Sequence, residues 1–186
     1  MAATSANKKR RPMWQWILVG AGGLAGLVLL IAGVGLLLPQ GHVAARRIAL
    51  RQKPDAVWDV IADFEQSASW RKDLKSVTRQ PNRDDRPVWT EDGSNGPMTL
   101  ERVETARPTR LVTRIADESL PFGGRWIFDI EETADGCRVT ITEEGEIYNP
   151  IFRCLARFVF GYTSTLESYL KSLGGKFGED VSPAAP

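Results

Sequence analysis

The side chains that could carry out chemistry are few and widely spaced. The chain has 186 residues, with one histidine, His42, and two cysteines, Cys137 and Cys154. Two cysteines are too few for a disulfide scaffold or a four-cysteine zinc site. A single histidine excludes most histidine-based metal sites, and no residue beside His42 in the sequence completes a catalytic pair with it. We therefore expect no metal, no cofactor and no catalytic residue.

Two charged residues interrupt the apolar positions of predicted strands. Glu143 is in line with the apolar residues of its strand, where its carboxylate would orient the polar end of a ligand or act as an acid or base. The alternative is a bulge at 142–145, which would turn Glu143 toward solvent. Arg114 would bind a carboxylate or a carbonyl if it points inward. The alternative is an arginine on the solvated face.

The N-terminal part of the chain is polar at first and then strongly apolar. Residues 1–11 form a tail that ends in four basic residues, and no charged residue occurs from 12 to 45. At about 1.5 Å per residue, a helix over 14–38 exceeds the roughly 30 Å hydrocarbon core of a bilayer. The sequence therefore predicts a transmembrane anchor within 12–41. The alternative is a cleavable signal peptide, whose apolar region is usually only about 7–15 residues long.

Basic residues flank both ends of this anchor. Because four of them precede it directly and the next ones start at Arg46, the positive-inside rule favours a cytoplasmic N-terminus and a globular domain outside. There Cys137 and Cys154 would be able to form a disulfide, with two buried free thiols as the alternative. Gly22 and Gly26 form one small-xxx-small pair, which would allow a weak homodimer of anchors. The alternative is the ordinary abundance of glycine in membrane helices.

After the anchor, the spacing of apolar residues predicts one strand, two short helices and six further strands. A strand is expected over 43–51, a helix from Pro54, and a second helical piece over 65–70. Turns that contain Gly or Pro then separate six short runs, which predicts an antiparallel meander. These runs are 74–79, 87–90, 98–105, 111–116, 125–132 and 138–148.

The C-terminal region changes to helical spacing. Apolar residues from Ile151 to Leu173 fall on one face, which predicts a continuous amphipathic helix over 150–173 that packs on the concave face of the sheet. Residues 178–186 are expected to be a disordered tail.

Several segments resemble the SRPBCC superfamily, the START-like and polyketide cyclase-like proteins. Residues 57–64 (VWDVIADF) followed by Trp70 resemble its helix signature, and 108–112 (PTRLV) and 138–144 (RVTITEE) resemble its later strands. The resemblance implies an α+β helix-grip fold over 42–177. It consists of a seven-stranded curved antiparallel sheet, two short helices and a long C-terminal helix, here preceded by one transmembrane helix. Ser69 stands where many members have proline, and many members lack the anchor.

The same resemblance implies a hydrophobic cavity between the sheet and the last helix. Its expected lining comes from inward positions of the strands, from the long helix and from tryptophans whose alternative role is simple core packing. These residues are Trp58, Trp70, Trp89, Arg114, Trp126, Phe128, Ile130, Val139, Ile141, Glu143, Leu155, Val159 and Tyr162.

Three functions fit such a cavity. The first is a single-pass, membrane-anchored binding module that holds or transfers a lipid or another hydrophobic small molecule, and the lack of a recognisable catalytic group favours it. The second is an enzyme of the polyketide cyclase or aromatase kind, acting on a hydrophobic substrate. The third is a scaffold with a filled interior that binds only proteins. Nucleic acid is not an expected partner, because the part after the anchor is mildly acidic with mixed charges.

Overall fold

The computed structural model describes residues 13–94 and 96–186. Seven strands form one antiparallel sheet in the order β1-β7-β6-β5-β4-β3-β2. The first strand and the last therefore lie side by side, while the other strands follow one another as hairpins. The strands are β1 Gly41–Leu50, β2 Leu74–Arg83, β3 Arg86–Gly93, β4 Gly96–Ala106, β5 Arg110–Ile115, β6 Phe122–Thr133 and β7 Gly136–Ile147.

The helices are α1 Met13–Leu37, α2 Pro54–Ala62, α3 Pro150–Leu155 and α4 Ser164–Lys176. A 3-10 helix follows α2 at Phe64–Ser69, and a π-helical turn follows α3 at Ala156–Phe160. The predicted helix-grip fold, with its curved seven-stranded sheet, is confirmed. The predicted meander is also confirmed, and each observed strand overlaps its predicted run.

The core lies between the concave face of the sheet and the helices α2 and α4. Alternation along β1, β7 and β6 points one set of side chains inward, and Ile48, Val139 and Ile130 from this set are almost completely buried. Leu166 and Leu170 of α4 cover them from the other side. Because apolar burial stabilises by about 25 cal/mol per Å², this contact between α4 and the sheet contributes to the stability of the fold.

The C-terminal helix differs from its prediction. A continuous helix over 150–173 was expected, but the chain forms α3, the π-helical turn, a break and then α4. The break lies at Gly161, whose φ of +73° favours glycine. Helical spacing continues on both sides of this residue, so the spacing alone does not reveal the break. As a result, α4 is the part of this C-terminal region that packs as a helix on the concave face of the sheet.

The helix α1 is long and apolar enough to cross a membrane. Its C-terminal end is fixed to the domain, because Arg153 donates hydrogen bonds to the carbonyls of Leu38 (2.9 Å) and Tyr148 (3.1 Å). The amide of Ile147 also donates to the carbonyl of Gln40 at 2.9 Å. The link between α1 and β1, residues 38–40, is thus tied to the domain at both of its ends.

Of the two predicted tails, the structure describes the C-terminal one, residues 178–186. Residues 178–186 were expected to be disordered, but Ala184 exchanges two backbone hydrogen bonds with Arg47 of β1, and Val181 packs against the core. An apolar contact and a bridge to the edge strand β1 therefore order this segment. The basic tail 1–11 lies outside the described residues.

Candidate functional site

Four aromatic rings meet on the concave face. Tyr169 of α4 lies at their centre, with its ring centroid 5.3 Å from Trp70, 5.7 Å from Trp126 and 5.4 Å from Phe128. The contacts with Trp70 and Trp126 are edge-to-face, which is a favourable aromatic geometry. Trp70 and Trp126 remain only partly buried. This aromatic cluster is the apolar part of the candidate site.

Glu143 lies at one end of the aromatic cluster, on the concave face. The pairing of β7 with both neighbours is regular at Glu143, so the bulge considered above is absent from that part of the sheet. One carboxylate oxygen accepts a hydrogen bond from the Trp126 indole at 2.9 Å, and the other lies 3.1 Å from Nε2 of His42. The Tyr162 ring stacks on His42 with centroids 4.1 Å apart. Two neighbouring strands and the break before α4 thus hold this carboxylate in place.

His42 was missed by the sequence reasoning, which found no partner for it. The partner is Glu143, 101 residues further along the chain. The pairing exists because β1 and β7 are neighbours in the sheet, with Ala44 opposite Glu143. The pair becomes visible only when the strand order is known, because β1 lies beside β7. The signal in the sequence is weak: His42 alternates in step with the inward residues of β1.

A second polar group lies on the other side of Tyr169. Arg71 donates to Glu91 at 2.8 Å and to Asp73 at 2.7 Å, and its guanidinium carbon is 5.1 Å from the centroid of the Tyr169 ring. Burial raises the pKa of Glu91, although the ion pair with Arg71 opposes the rise. Burial also raises the pKa of Tyr169. Sequence reasoning missed this group, because the spacing of residues does not show that Arg71 lies near Glu91 of β3, 20 residues later.

A third polar contact fixes α4 to β1. Arg46 donates to Glu167 at 2.8 Å and to the Thr163 hydroxyl at 3.2 Å. The hydrogen bond from Arg46 lowers the pKa of the Glu167 carboxyl. Because Thr163 belongs to the break and Glu167 to the first turn of α4, this contact sets where α4 begins above the sheet.

The structure brings most of the predicted cavity residues to one face. The residues of this set on β6 and β7, together with Trp70 and Tyr162, form the aromatic cluster and its surroundings. Trp58 is buried in the core on α2, and Trp89 is buried on β3 with its ring stacked on Phe64. The strand residues that face inward are Trp126, Phe128, Ile130, Val139, Ile141 and Glu143.

Three predicted residues lie elsewhere. Arg114 is on the convex face, where it binds Glu101 at 2.5 Å, because Thr113 takes the inward position of β5. Leu155 is partly buried on α3, which packs mainly against α1, and Val159 is exposed on the π-helical turn that follows α3. The prediction that these three face the cavity is wrong.

The side chains of α4 and of the sheet that face each other are almost completely buried. Two open depressions of about 710 and 480 Å³ occur on the convex surface and at its edge, and charged residues line much of both. Ile130 is the one predicted cavity residue at either depression. A ligand on the concave face would therefore have to displace a side chain.

Three further features concern the cysteines, possible metal ligands and the glycine pair of α1. Cys137 and Cys154 are both free, the first buried in β7 and the second partly exposed on α3. Burial raises the pKa of the Cys137 thiol to about 11. Among residues 13–94 and 96–186, no three side chains come together in a way that would hold a metal ion. Gly22 and Gly26 are on the open surface of α1, and a homodimer through them stays a prediction.

Solved structures with the same fold share little sequence with this chain. A START superfamily protein from Mycobacterium smegmatis is 18% identical, with a TM-score of 0.58 over 73% of this chain and 96% of that one. The Zhui aromatase/cyclase from Streptomyces sp. R1128 is 12% identical, with a TM-score of 0.58 over 73% and 93%. At such identities the likeness shows the fold alone.

The di-domain ARO/CYC StfQ of the steffimycin pathway is 10% identical, with a TM-score of 0.57 over 73% of this chain. This chain spans 50% of the length of StfQ. No curated protein matches the sequence. A family model matches residues 42–168, more than half of the chain, and its description is polyketide cyclase / dehydrase and lipid transport. The protein belongs to this family, and its predicted place in the START-like superfamily is confirmed.

Proposed function

We propose that this protein is a membrane-anchored module that binds a lipid or another hydrophobic small molecule on its concave face. The observation that carries the proposal is the aromatic cluster ending at Glu143, a carboxylate held by His42 and Trp126. Aromatic rings supply a large apolar surface, and one polar group at its end would orient the ligand. The family description, which includes lipid transport, supports this proposal.

Glu143 has the capacity to bind a ligand without losing its present partners. An ionised carboxylate has roughly four lone-pair positions, of which His42 and Trp126 use two. A hydroxyl or an amine at the end of an apolar molecule would complete this set. Ligands of the proposed class are therefore amphiphilic molecules with a hydrogen-bond donor at one end.

Tyr162 is the side chain that a ligand would displace. It is only partly buried, and it covers His42 from within the break between the π-helical turn and α4. Because Gly161 already interrupts the helix, Tyr162 can leave His42 without unwinding α4. His42 is the second residue of β1, so this entrance lies at the end of the domain that is joined to α1.

The test is to purify the full chain from host membranes and identify bound molecules by native mass spectrometry. Glu143→Gln removes the charge that receives the ligand, and Glu144→Gln is the matched control, since Glu144 is the next residue and binds Arg125 on the convex face. We expect Glu143→Gln to reduce ligand occupancy about tenfold, which corresponds to about 1.4 kcal/mol. Equal occupancy in both variants, or an empty wild-type protein, would refute the proposal.

A second candidate function is an enzyme that cyclises or dehydrates a hydrophobic substrate. The observation in its favour is the His42–Glu143 pair, since a carboxylate beside an imidazole can orient it as a general base. The test is to incubate the wild-type chain and a His42→Gln variant with the molecules extracted from host membranes. A product that has lost water, formed by the wild type alone, would favour the enzyme. Unchanged molecules in both samples would favour binding.

A further inference from the structure

We propose that residues 150–160, here called the interfacial segment, insert into the surface of the same bilayer that α1 enters. This inference rests on the membrane anchoring in the proposed function and extends it to a second membrane contact. The segment consists of α3 and the π-helical turn. It was predicted to pack on the sheet, but its first part, α3, lies beside α1.

The interfacial segment exposes large apolar side chains in one run. The exposed fractions are 66% for Phe158, 65% for Val159 and 68% for Phe160, and Phe152 is half exposed. Surface apolar residues that occur singly are ordinary, whereas a contiguous patch indicates an interaction. Four large apolar side chains exposed within nine positions, 152–160, are a concentration of this kind.

The position of the segment favours a bilayer as the partner. An added methyl group at Gly35 would overlap the carbonyl of Pro150, so the last turn of α1 and the first residue of α3 are in direct contact. Leu36 and Leu37 of α1 are themselves exposed at this level. The interfacial segment therefore starts against the end of α1, where exposed leucines would also meet the bilayer.

The length of α1 gives the depth of the segment. Its 25 residues, at about 1.5 Å each, are longer than the roughly 30 Å hydrocarbon core by several residues. The excess places the turn around Gly35 near the boundary between acyl chains and headgroups. Short amphipathic helices lie at this depth when they bind membranes.

The charge of the segment also suits a lipid surface. No Asp or Glu occurs between Glu146 and Glu167. Arg157 is exposed on the π-helical turn, whereas Arg153 is buried and bound to the carbonyl of Leu38. An exposed arginine among aromatic residues fits the phosphates of lipid headgroups.

The experiment measures depth in the bilayer with the full chain. The protein is reconstituted into vesicles of equal parts phosphatidylcholine and phosphatidylglycerol, some of which carry a nitroxide near the top of the acyl chain and others near its end. A fluorescent label is placed on a single accessible cysteine in a Cys154→Ser background, since the buried Cys137 does not need to be removed. The label positions are Phe158→Cys in the segment, Leu27→Cys in α1, and Asp135→Cys in the turn between β6 and β7.

We expect the shallow nitroxide to remove most of the fluorescence at 158, the deep one to do so at 27, and neither to affect 135. Quenching at 27 without quenching at 158 would overturn this inference while the anchor stands. Quenching at 158 but not at 27 would refute the spanning anchor, and with it the inference that the segment and α1 share one bilayer. If neither 27 nor 158 is quenched, both proposals fail. Equal quenching at 158 and 135 would overturn the segment as the specific contact, and burial of the label at 158 without quenching would indicate a protein partner instead.

Discussion

The chain from Pro150 to Lys176 has one apolar pattern but two halves that pack differently. In α4, Leu166, Leu170 and Leu173 are completely buried against the sheet. In the interfacial segment, Phe158 and Phe160 remain exposed, and the segment contacts α1 instead. Helical spacing therefore predicts that a face needs an apolar partner, but not which partner it finds. For α4 the partner is the sheet, and for the interfacial segment we propose the bilayer.

The strongest test of this difference compares charges placed in the two halves. Leu166→Asp would bury an unpaired carboxylate against the sheet and is expected to cost about 4 kcal/mol or more, which is enough to unfold most domains. Phe158→Asp adds the same charge at an exposed position and is expected to change stability by less than about 0.5 kcal/mol. Thermal unfolding of the full chain in detergent measures both. Equal melting temperatures would mean that α4 does not hold the fold together.

The two cysteines compare the core with the interfacial segment by reactivity. Cys137 lies in the core near α4, where burial raises its pKa to about 11, while Cys154 is partly exposed on α3. Because the thiolate is the reactive form, alkylation at pH 8 in detergent is expected to be at least about a hundredfold faster at Cys154. Peptide mapping of the labelled protein measures the two rates. Similar rates in folded protein would show that the core around Cys137 opens readily.

The contact between α1 and α3 can be broken by one methyl group. Gly35→Ala would overlap the Pro150 carbonyl, whereas an added methyl at Gly33 has no atom within 4 Å. Gly35→Ala is expected to cost about 1–3 kcal/mol of local stability, as overpacking does, and Gly33→Ala almost nothing. Hydrogen exchange of residues 147–155 measures the loosening. The packing of α3 on α1 would be disproved by identical exchange in the two variants.

The smallest predicted effect concerns the start of α4. Arg46 lowers the folded-state pKa of Glu167 below its ordinary value of 4.5, so the ion pair stabilises the protein above that pH and is lost as pH falls through the lowered pKa. Glu167 is about one third exposed, so the expected gain is less than about 1 kcal/mol. Glu167→Gln should remove this part of the acid dependence of unfolding, with Glu132→Gln on the exposed end of β6 as the control. An unchanged acid profile would mean that the pair contributes nothing.

Local sequence predicted the fold well, because each strand is bounded by its own turn residues. The turn between β6 and β7, for example, ends at Gly136, whose φ of +146° favours glycine. Alternation along β6 and β7 also placed Trp126, Phe128 and Glu143 on the inward face correctly. Turns and alternation depend on neighbours within a few residues, so the spacing of residues along the chain predicts them.

The candidate site depends on contacts between residues far apart in the chain, which the spacing of residues does not predict. His42 meets Glu143 only because the first and last strands pair, and Arg71 meets Glu91 only because the 3-10 helix runs back to β3. Arg114 illustrates a different limit, since Thr113 and Arg114 alternate and either could face inward. Gly161 was the visible sign of the helix break, but a glycine within a continuing apolar pattern is compatible with a helix.

The short link between α1 and β1 limits how the domain can move. Residues 38–40 are bonded to Arg153 on one side and to Ile147 on the other, so in the membrane-anchored protein that we propose, the domain would be held close to the end of α1. A domain held so close to its anchor could not move far from the membrane to collect a ligand. It could take a ligand directly from the leaflet next to it. Transfer of the ligand to a second membrane would require that membrane to come close to the first.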